Sequence, residues 1–323
     1  MRKIPVCIDC DPGVDDALAL MLAAASEELD IIAITTVFGN RPIEQTTKNA
    51  LKLCELLGLS NVPVARGAAK GLLVPLRDFK KKRAPAIHGE DGLGNMGYML
   101  PEPKKQEENI NAIELMAKVV SQSADRVVLV PTGPLTNIAV FLLAHPELHE
   151  IIEGIDLMGG AMFGGNAMPT AEANIMGDPD AAHIVFKSGV KILMCGLDAT
   201  MHGYATFEDR ELFRICGSKT GEFMFEALKC YVDYYEGLLG KPGCALHDSV
   251  PIAWLINPAV ITTKPYYVEV DITGHYTRGC TVTDTVGKCD APPNAMVATG
   301  IDREMLIKMH VDAFKKLAKI EVL

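Results

Sequence analysis

The stretch Ile4-Pro5-Val6-Cys7-Ile8-Asp9-Cys10-Asp11-Pro12-Gly13-Val14-Asp15-Asp16-Ala17-Leu18-Ala19-Leu20-Met21-Leu22 decides how the chain is read. An apolar run meets Pro-Gly and then a second apolar run, which predicts a strand, a turn and a helix. Asp9 and Asp11 fall at the strand's carboxyl end. Asp15 and Asp16 fall in the first helical turn, where the macrodipole and free backbone N–H groups favour negative charge. That dipole is too weak to hold four carboxylates in eight residues. Neighbouring carboxylates raise one another's pKa and repel unless a cation sits among them. Closely spaced oxygen donors, with no Cys or His ligand set nearby, point to a hard divalent ion, Ca²⁺ before Mg²⁺. The alternative reading is an acidic helix cap with solvated side chains, which suits one or two Asp residues better than the set around Pro-Gly.

Outward from this stretch the same alternation repeats. A strand is predicted over 30–37, a helix over 42–57 and a strand over 62–65, the rhythm of an open, mostly parallel, Rossmann-like α/β sheet with helices on both faces. Residues 66–108 break it with Gly, Pro and charge, and a loop that long is usually functional. It carries Ile87-His88-Gly89-Glu90-Asp91-Gly92. Regularity returns with a helix over 111–121 and a strand over 126–130. The turn Pro131-Thr132-Gly133-Pro134-Leu135-Thr136-Asn137 then leads into a helix over 138–144. A strand over 151–158 ends in a Gly-rich loop. Asp178 caps another helix, and a strand is expected over 191–195. Residues 207–240 read as mostly helical and 249–256 as a helix. Strands near 266–272 and 276–286 precede a last helix from residue 302. No repeat, low-complexity tract or linker divides the chain, so one domain over 1–323 is expected. Polar residues gather where strands end, at Asp11, Asn40, Thr132 and Asn166, which is where open α/β sheets bind ligands.

The bulk numbers bound the function. With 323 residues, 49% hydrophobic and 22% charged, the chain has the composition of a globular protein with a sizeable core. A net charge of −10 argues against a nucleic-acid backbone as partner. Lys80-Lys81-Lys82-Arg83 is the one basic run, read as a solvated loop. Nine cysteines scattered through apolar segments read as reduced thiols. Cys7 and Cys10 spell C-x-x-C, but in a strand positions i and i+3 face opposite ways, which disfavours redox or zinc use. The N-terminal apolar run is too short for a signal peptide, and no stretch is long and apolar enough to span a bilayer. A cytoplasmic location is expected.

In their order the motifs resemble the nucleoside hydrolase family, the inosine–uridine-type N-ribohydrolases. The resemblance begins with Asp9-x-Asp11-Pro12-Gly13-x-Asp15-Asp16. It continues through Gly39-Asn40, His88-Gly89, Val130 to Asn137, Leu157-Met158-Gly159-Gly160, Gly165-Asn166, Glu172-x-Asn174 and His247-Asp248. It implies the nucleoside hydrolase fold and a Ca²⁺ held by the carboxylates of Asp11, Asp15 and Asp248 and the carbonyl of Thr132, with ribose hydroxyls and one water completing the shell. Asp16, and Asp9 behind it, would support those ligands. It implies hydrolysis of the N-glycosidic bond of ribonucleosides to ribose and free base, with homodimers or homotetramers as the assembly. Asp11 is then the general base, and His247 the candidate acid for the leaving base, with His88 nearby. Asp15 and Asn174 would hold the ribose 2′/3′ side, with Asn166 and Glu172 near the 5′-hydroxyl. Asn40 and Met158 would also line the substrate site. Carboxylates around the sugar suit an oxocarbenium-like transition state.

Substrate choice rests on aromatic residues. The purine-specific branch grips its base between Trp side chains, and here the only Trp is Trp254, in an apolar helix. Tyr231 and Tyr235, four apart and on one helix face, resemble the aromatic pair of the broad-specificity branch. Inosine–uridine-type breadth is therefore expected, with a pyrimidine-preferring hydrolase as the alternative. Two other classes are weighed. Asp-x-Asp after a strand also opens haloacid dehalogenase-type phosphatases, but Pro12-Gly13 departs from their pattern. A metal-dependent nucleoside-binding protein without catalysis would not need Asp11 and His247.

Overall fold

In the computed structural model, which describes residues 2–73, 87–240 and 242–320, the opening stretch folds as its pattern predicts. Strand β1 (Ile4–Cys10) runs through the Pro12-Gly13 turn into the helix Val14–Ala25. Asp16 Oδ2 accepts the Gly13 N–H at 2.8 Å, which satisfies one of the backbone donors a helix start leaves open. The other strands are β2 (Leu29–Thr36), β3 (Val64–Arg66), β4 (Val127–Pro131), β5 (Ile152–Met158), β6 (Ile192–Cys195), β7 (Tyr204–Ala205), β8 (Cys244–Ala245), β9 (Ile261–Tyr266), β10 (Val268–Val270), β11 (Thr281–Thr283) and β12 (Ala295–Ile301). Eight of them form one sheet in the order β3-β2-β1-β4-β5-β6-β12-β9, parallel except for the edge strand β9. The basic run 80–83 lies outside the described residues.

Strand residues alternate between two cores, as a sheet covered on both faces requires. Val6, Ile8 and Cys10 face the helices Val14–Ala25, Ile43–Leu56, Lys219–Leu239, Ser249–Ile256 and Arg303–Ile320. Cys7, Leu129 and Leu157 face Ala112–Gln122, Thr136–Ala144 and Pro179–Lys187. Cys7 and Cys10 thus lie on opposite faces of the sheet, both buried and free, so the C-x-x-C spacing builds no redox pair. Trp254 packs against the first core.

The C-terminal third departs from the expected strands. The segments near 266–272 and 276–286 do hold strands, β10 and β11, but these pair with each other as a short ribbon outside the main sheet. The sheet is instead completed by β12, parallel to β6, with β9 antiparallel beside it. Neither β9 nor β12 stands out in sequence. Pro265 and three polar residues interrupt β9, as an edge position tolerates, while Gly300 sits in β12 at a register irregularity opposite Thr262 of β9. Among the described residues no helix is long and apolar enough to cross a membrane.

The chain order reverses beside β1, where β2 leaves on one side and β4 on the other. In an open α/β sheet the crevice beyond the strands' carboxyl ends at such a point is the natural ligand site. Asp11, Asn40 and Thr132 follow β1, β2 and β4 there. The Thr132 N–H donates to Asp9 O at 2.9 Å and locks the first and third of these turns together.

Candidate active site

The acidic turn is held by partners from three other segments. Asp11 Oδ2 accepts the Asn40 N–H at 2.5 Å, and Asn40 Nδ2 donates to Asp11 O at 3.2 Å and Asp16 Oδ2 at 3.1 Å. Asp11 sits so close to Gly39 and Gly133 that a Cβ at either would lie 1.8 Å and 2.7 Å from its carboxylate oxygens. Gly39-Asn40 is therefore tied to Asp11 by contact, since no larger residue fits. Asp16 Oδ1 accepts the Thr132 hydroxyl at 2.8 Å. Asp9, one step further down the strand, accepts from Thr35 Oγ1 at 2.7 Å and Asn137 Nδ2 at 2.8 Å.

Asp248 arrives from far along the chain. Its helix, Ser249–Ile256, packs on the helix Val14–Ala25, and the Asp248 side chain makes no capping bond to its own helix. A helix cap alone does not explain it. Carboxylate oxygens of Asp15, Asp16 and Asp248 all lie within 4.8 Å of one another, and all three residues are buried. Burial and the neighbouring Asp15 charge push Asp16 up to about 7. Burial, then the charges of Asp15, Asp16 and Asp11, push Asp248 well above the carboxylate range. Without a cation the cluster retains protons, and a divalent ion would displace them. Asp15 Oδ1 has no hydrogen-bond partner among the described residues, though it is buried. A donor set of hard oxygens with an open carboxylate position fits an alkaline-earth ion.

Two histidines and two tyrosines stand beside the acids. Tyr231 OH donates to Asp15 Oδ2 at 2.9 Å. The Tyr235 hydroxyl is 2.5 Å from His247 Nε2, and His247 Nδ1 is 2.7 Å from Thr200 Oγ1. The two tyrosine rings meet edge-on at 5.2 Å. Burial pulls the His247 imidazole down to about 4, so it is neutral near pH 7. That differs from an isolated imidazole titrating near neutrality, and the cause is the loss of water around it. His88 is likewise lowered by burial. Its Nδ1 accepts the Val14 N–H at 3.3 Å, which places its proton on Nε2.

These groups open into one cavity of about 1200 Å³. It gathers every residue expected at the metal or the substrate: Asp11, Asp15, Asn40, His88, Thr132, Met158, Asn166, Glu172, Asn174, Tyr231, Tyr235, His247 and Asp248. Asp9 and Asp16 lie behind it, fully buried. Some side chains are already engaged with backbone. Asn174 Nδ2 donates to Thr132 O at 2.8 Å and Met158 O at 3.1 Å. Glu172 accepts from the N–H groups of Gly160, Asn174 and Ile175. Asn166 Oδ1 accepts the Ala173 N–H at 2.9 Å. Sequence reasoning missed Leu197, Asp198 and Met201, which follow β6 into the cavity wall, and Thr200, which backs His247 from the same segment. Their one available signal was position just past a strand's carboxyl end.

Comparison with known proteins agrees with this geometry. The family described as inosine-uridine preferring nucleoside hydrolase matches residues 6–308. A relative from Shigella boydii, described as pyrimidine-specific ribonucleoside hydrolase RihA, is 44% identical over 97% of this chain and 98% of its own. Among solved structures, a purine-preferring ribonucleoside hydrolase from Gardnerella vaginalis superposes with a TM-score of 0.89 at 35% identity, covering 98% of this chain and 99% of that one. A plant nucleoside hydrolase gives 0.88 at 32% identity, with 97% and 99% covered. With the acidic turn, the distant Asp248 and the sheet that joins them matched along nearly its whole length, the chain belongs to the inosine–uridine preferring nucleoside hydrolase family.

Proposed function

We propose that this nucleoside hydrolase cleaves pyrimidine ribonucleosides best and inosine second, yielding ribose and free base for salvage, with Ca²⁺ held by Asp11, Asp15, Asp248 and the Thr132 carbonyl. The observation that carries the reading is a buried acid cluster facing a Tyr235–His247 pair across one cavity. Breaking an N-glycosidic bond builds positive charge on the sugar and negative charge on the base. The acids answer the first charge and the hydroxyl pair the second. When bound, the divalent ion supplies Lewis acidity and cancels the repulsion among its ligands. Asp16 has both oxygens occupied by hydrogen bonds, which supports a bracing role behind Asp15.

Asp11 takes the proton of the attacking water as general base. Asp15 and Asn174 orient the ribose 2′/3′ side, and Asn166 and Glu172 the 5′ end. On the base side, Thr200 O–H donates to His247 Nδ1 and His247 Nε2–H donates to the Tyr235 oxygen. That order leaves the Tyr235 O–H free to donate to the departing base, with no protonated imidazole needed. The 44% identity to a relative described as pyrimidine-specific supports the base preference. A second reading, full inosine–uridine breadth, is favoured by the buried pair Tyr231 and Tyr235 in the cavity wall. The same reading has one domain per chain, working in the cytoplasm as a homodimer or homotetramer.

The test is reducing-sugar release from uridine, cytidine and inosine, with calcium and with a chelator. Turnover of uridine and cytidine above inosine, abolished by the chelator, is expected. Inosine above uridine would overturn the preference, and no sugar from any nucleoside would overturn the whole.

A further inference from the structure

The helix Ile43–Leu56 supplies no residue expected at the substrate, yet one of its buried side chains spans two loops of the site. Asn49 Nδ2 donates to Pro12 O at 3.0 Å and to Asp91 O at 2.9 Å. Its Oδ1 accepts from Gln45 Nε2 at 2.8 Å, which fixes the orientation of the amide. Pro12 stands between Asp11 and Gly13. Asp91 belongs to the turn that starts at His88.

That turn is stiff in itself. The Asp91 carboxylate accepts the N–H groups of Leu93, Asn95 and Gly97, at 2.7 to 2.8 Å. His88 O accepts the Gly94 N–H at 2.8 Å. Such a turn moves as a body, so its attachment decides where His88 stands. Asn49 is one attachment, and Lys52, one helical turn on, is another, donating from Nζ to Gly97 O at 3.0 Å. At its far end the turn presents His88 Nδ1 to the Val14 N–H and lies 3.8 Å from Asp15 Oδ1. The joint closes only around a glycine. A Cβ at Gly92 would lie 2.9 Å from Asn49 Nδ2 and 3.3 Å from Pro12 O.

We propose that Asn49 is a positioning residue for the hydrolysis, its amide setting the distance between the Asp11–Asp16 turn and His88. Only an amide nitrogen offers two N–H donors to two buried carbonyls from so short a stem. Both carbonyls would otherwise be left short of a partner. The proposal rests on the reading of His88 as a substrate-contacting group; the joint itself rests on geometry alone.

Uridine kinetics of Asn49→Ala, His88→Ala and the double variant test the coupling. Asn49→Ala is expected to lower kcat/KM by about 10- to 100-fold, the size of a small misplacement of a reacting group. The loss should divide between kcat and KM as it does in His88→Ala. The double variant should fall within about twofold of His88→Ala alone, because both changes remove one function. Multiplying losses would overturn the proposal. Amide hydrogen exchange without substrate gives a second readout: Val14 and residues 88–97 should lose protection together, while Lys219–Leu239 keeps its own. Unchanged protection at Val14 and the turn would overturn the proposal even if no nucleoside were turned over, a result that by itself would count against the function. Should Asn49→Ala fail to fold, Gln45→Ala releases the amide from a half-buried helix position. It should show the same paired loss of protection in weaker form, and full protection there would overturn the joint.

Discussion

Replacing Asp248 with Asn separates its role as an ion ligand from any role in holding the fold. At 4.8 Å, the limit within which the Asp15, Asp16 and Asp248 oxygens lie, two unit charges repel by about 3.5 kcal/mol at an effective dielectric near 20. Asp248 avoids that cost by holding a proton when no cation is present, since burial and its three acidic neighbours all raise its pKa. A neutral amide of the same size should therefore leave the metal-free melting temperature within about 1 °C of wild type. The calcium-bound state behaves differently. A ligand oxygen lies nearer the ion than that, at about 2.6 Å, where one negative charge acts on a divalent ion with about 13 kcal/mol at the same dielectric; if desolvation cancels about three-quarters, about 3 kcal/mol or 100-fold in affinity is lost.

The assay is thermal unfolding with calcium at 100 times the wild-type Kd, against a chelated sample. Binding at that level stabilises by about 2.7 kcal/mol. For 323 residues the unfolding entropy is about 0.7 kcal/mol/K, so the wild-type shift is about 4 °C. At the same calcium concentration Asp248→Asn retains about 0.4 kcal/mol and a shift below about 1 °C. A variant that kept the wild-type shift, or a wild type with none, would refute the assignment of Asp248 to the ion.

Tyr235→Phe removes the hydroxyl that meets His247 Nε2. It should cut kcat by about 10- to 100-fold with little change in KM, read by steady-state kinetics on inosine and uridine. Gly92→Ala places a Cβ in a positive-φ position (φ 81°) and against Asn49 and Arg41. It should destabilise by about 2–3 kcal/mol, read from urea midpoints. His310 is fully buried, with neither ring nitrogen partnered among the described residues, and burial lowers it to about 3. The unfolded chain thus takes up the proton first. The stability at stake is full above about pH 6.5 and lost as pH falls toward 3, at up to about 1.4 kcal/mol per pH unit. His310→Phe should gain about 2 kcal/mol on wild type between pH 6.5 and pH 5; parallel curves would contradict the burial of a neutral imidazole.

What could be read from the residues is what local chemistry dictates. Apolar period, Pro-Gly and acidic caps place β1, the helix after it and the alternation that follows, because each signal is complete within about ten residues. Polar residues at the strands' carboxyl ends place the site, and the resemblance that the ordered motifs carry names the residues that the cavity gathers. Strand β12 carried no such signal, since its stability comes from lying between β6 and β9.

Tertiary structure alone decided the relations between distant segments. It brings Asp248 to Asp15 and Asp16 through helix packing, and it dries His247 until the imidazole is neutral. It also shows that Thr200, unremarkable in sequence, meets His247 Nδ1, and that Asn49 joins the Pro12 and Asp91 backbones. A pattern along the chain records what each residue prefers beside its neighbours. Burial, charge repulsion and shared hydrogen bonds depend on what lies across the fold, and those quantities exist only once it has closed.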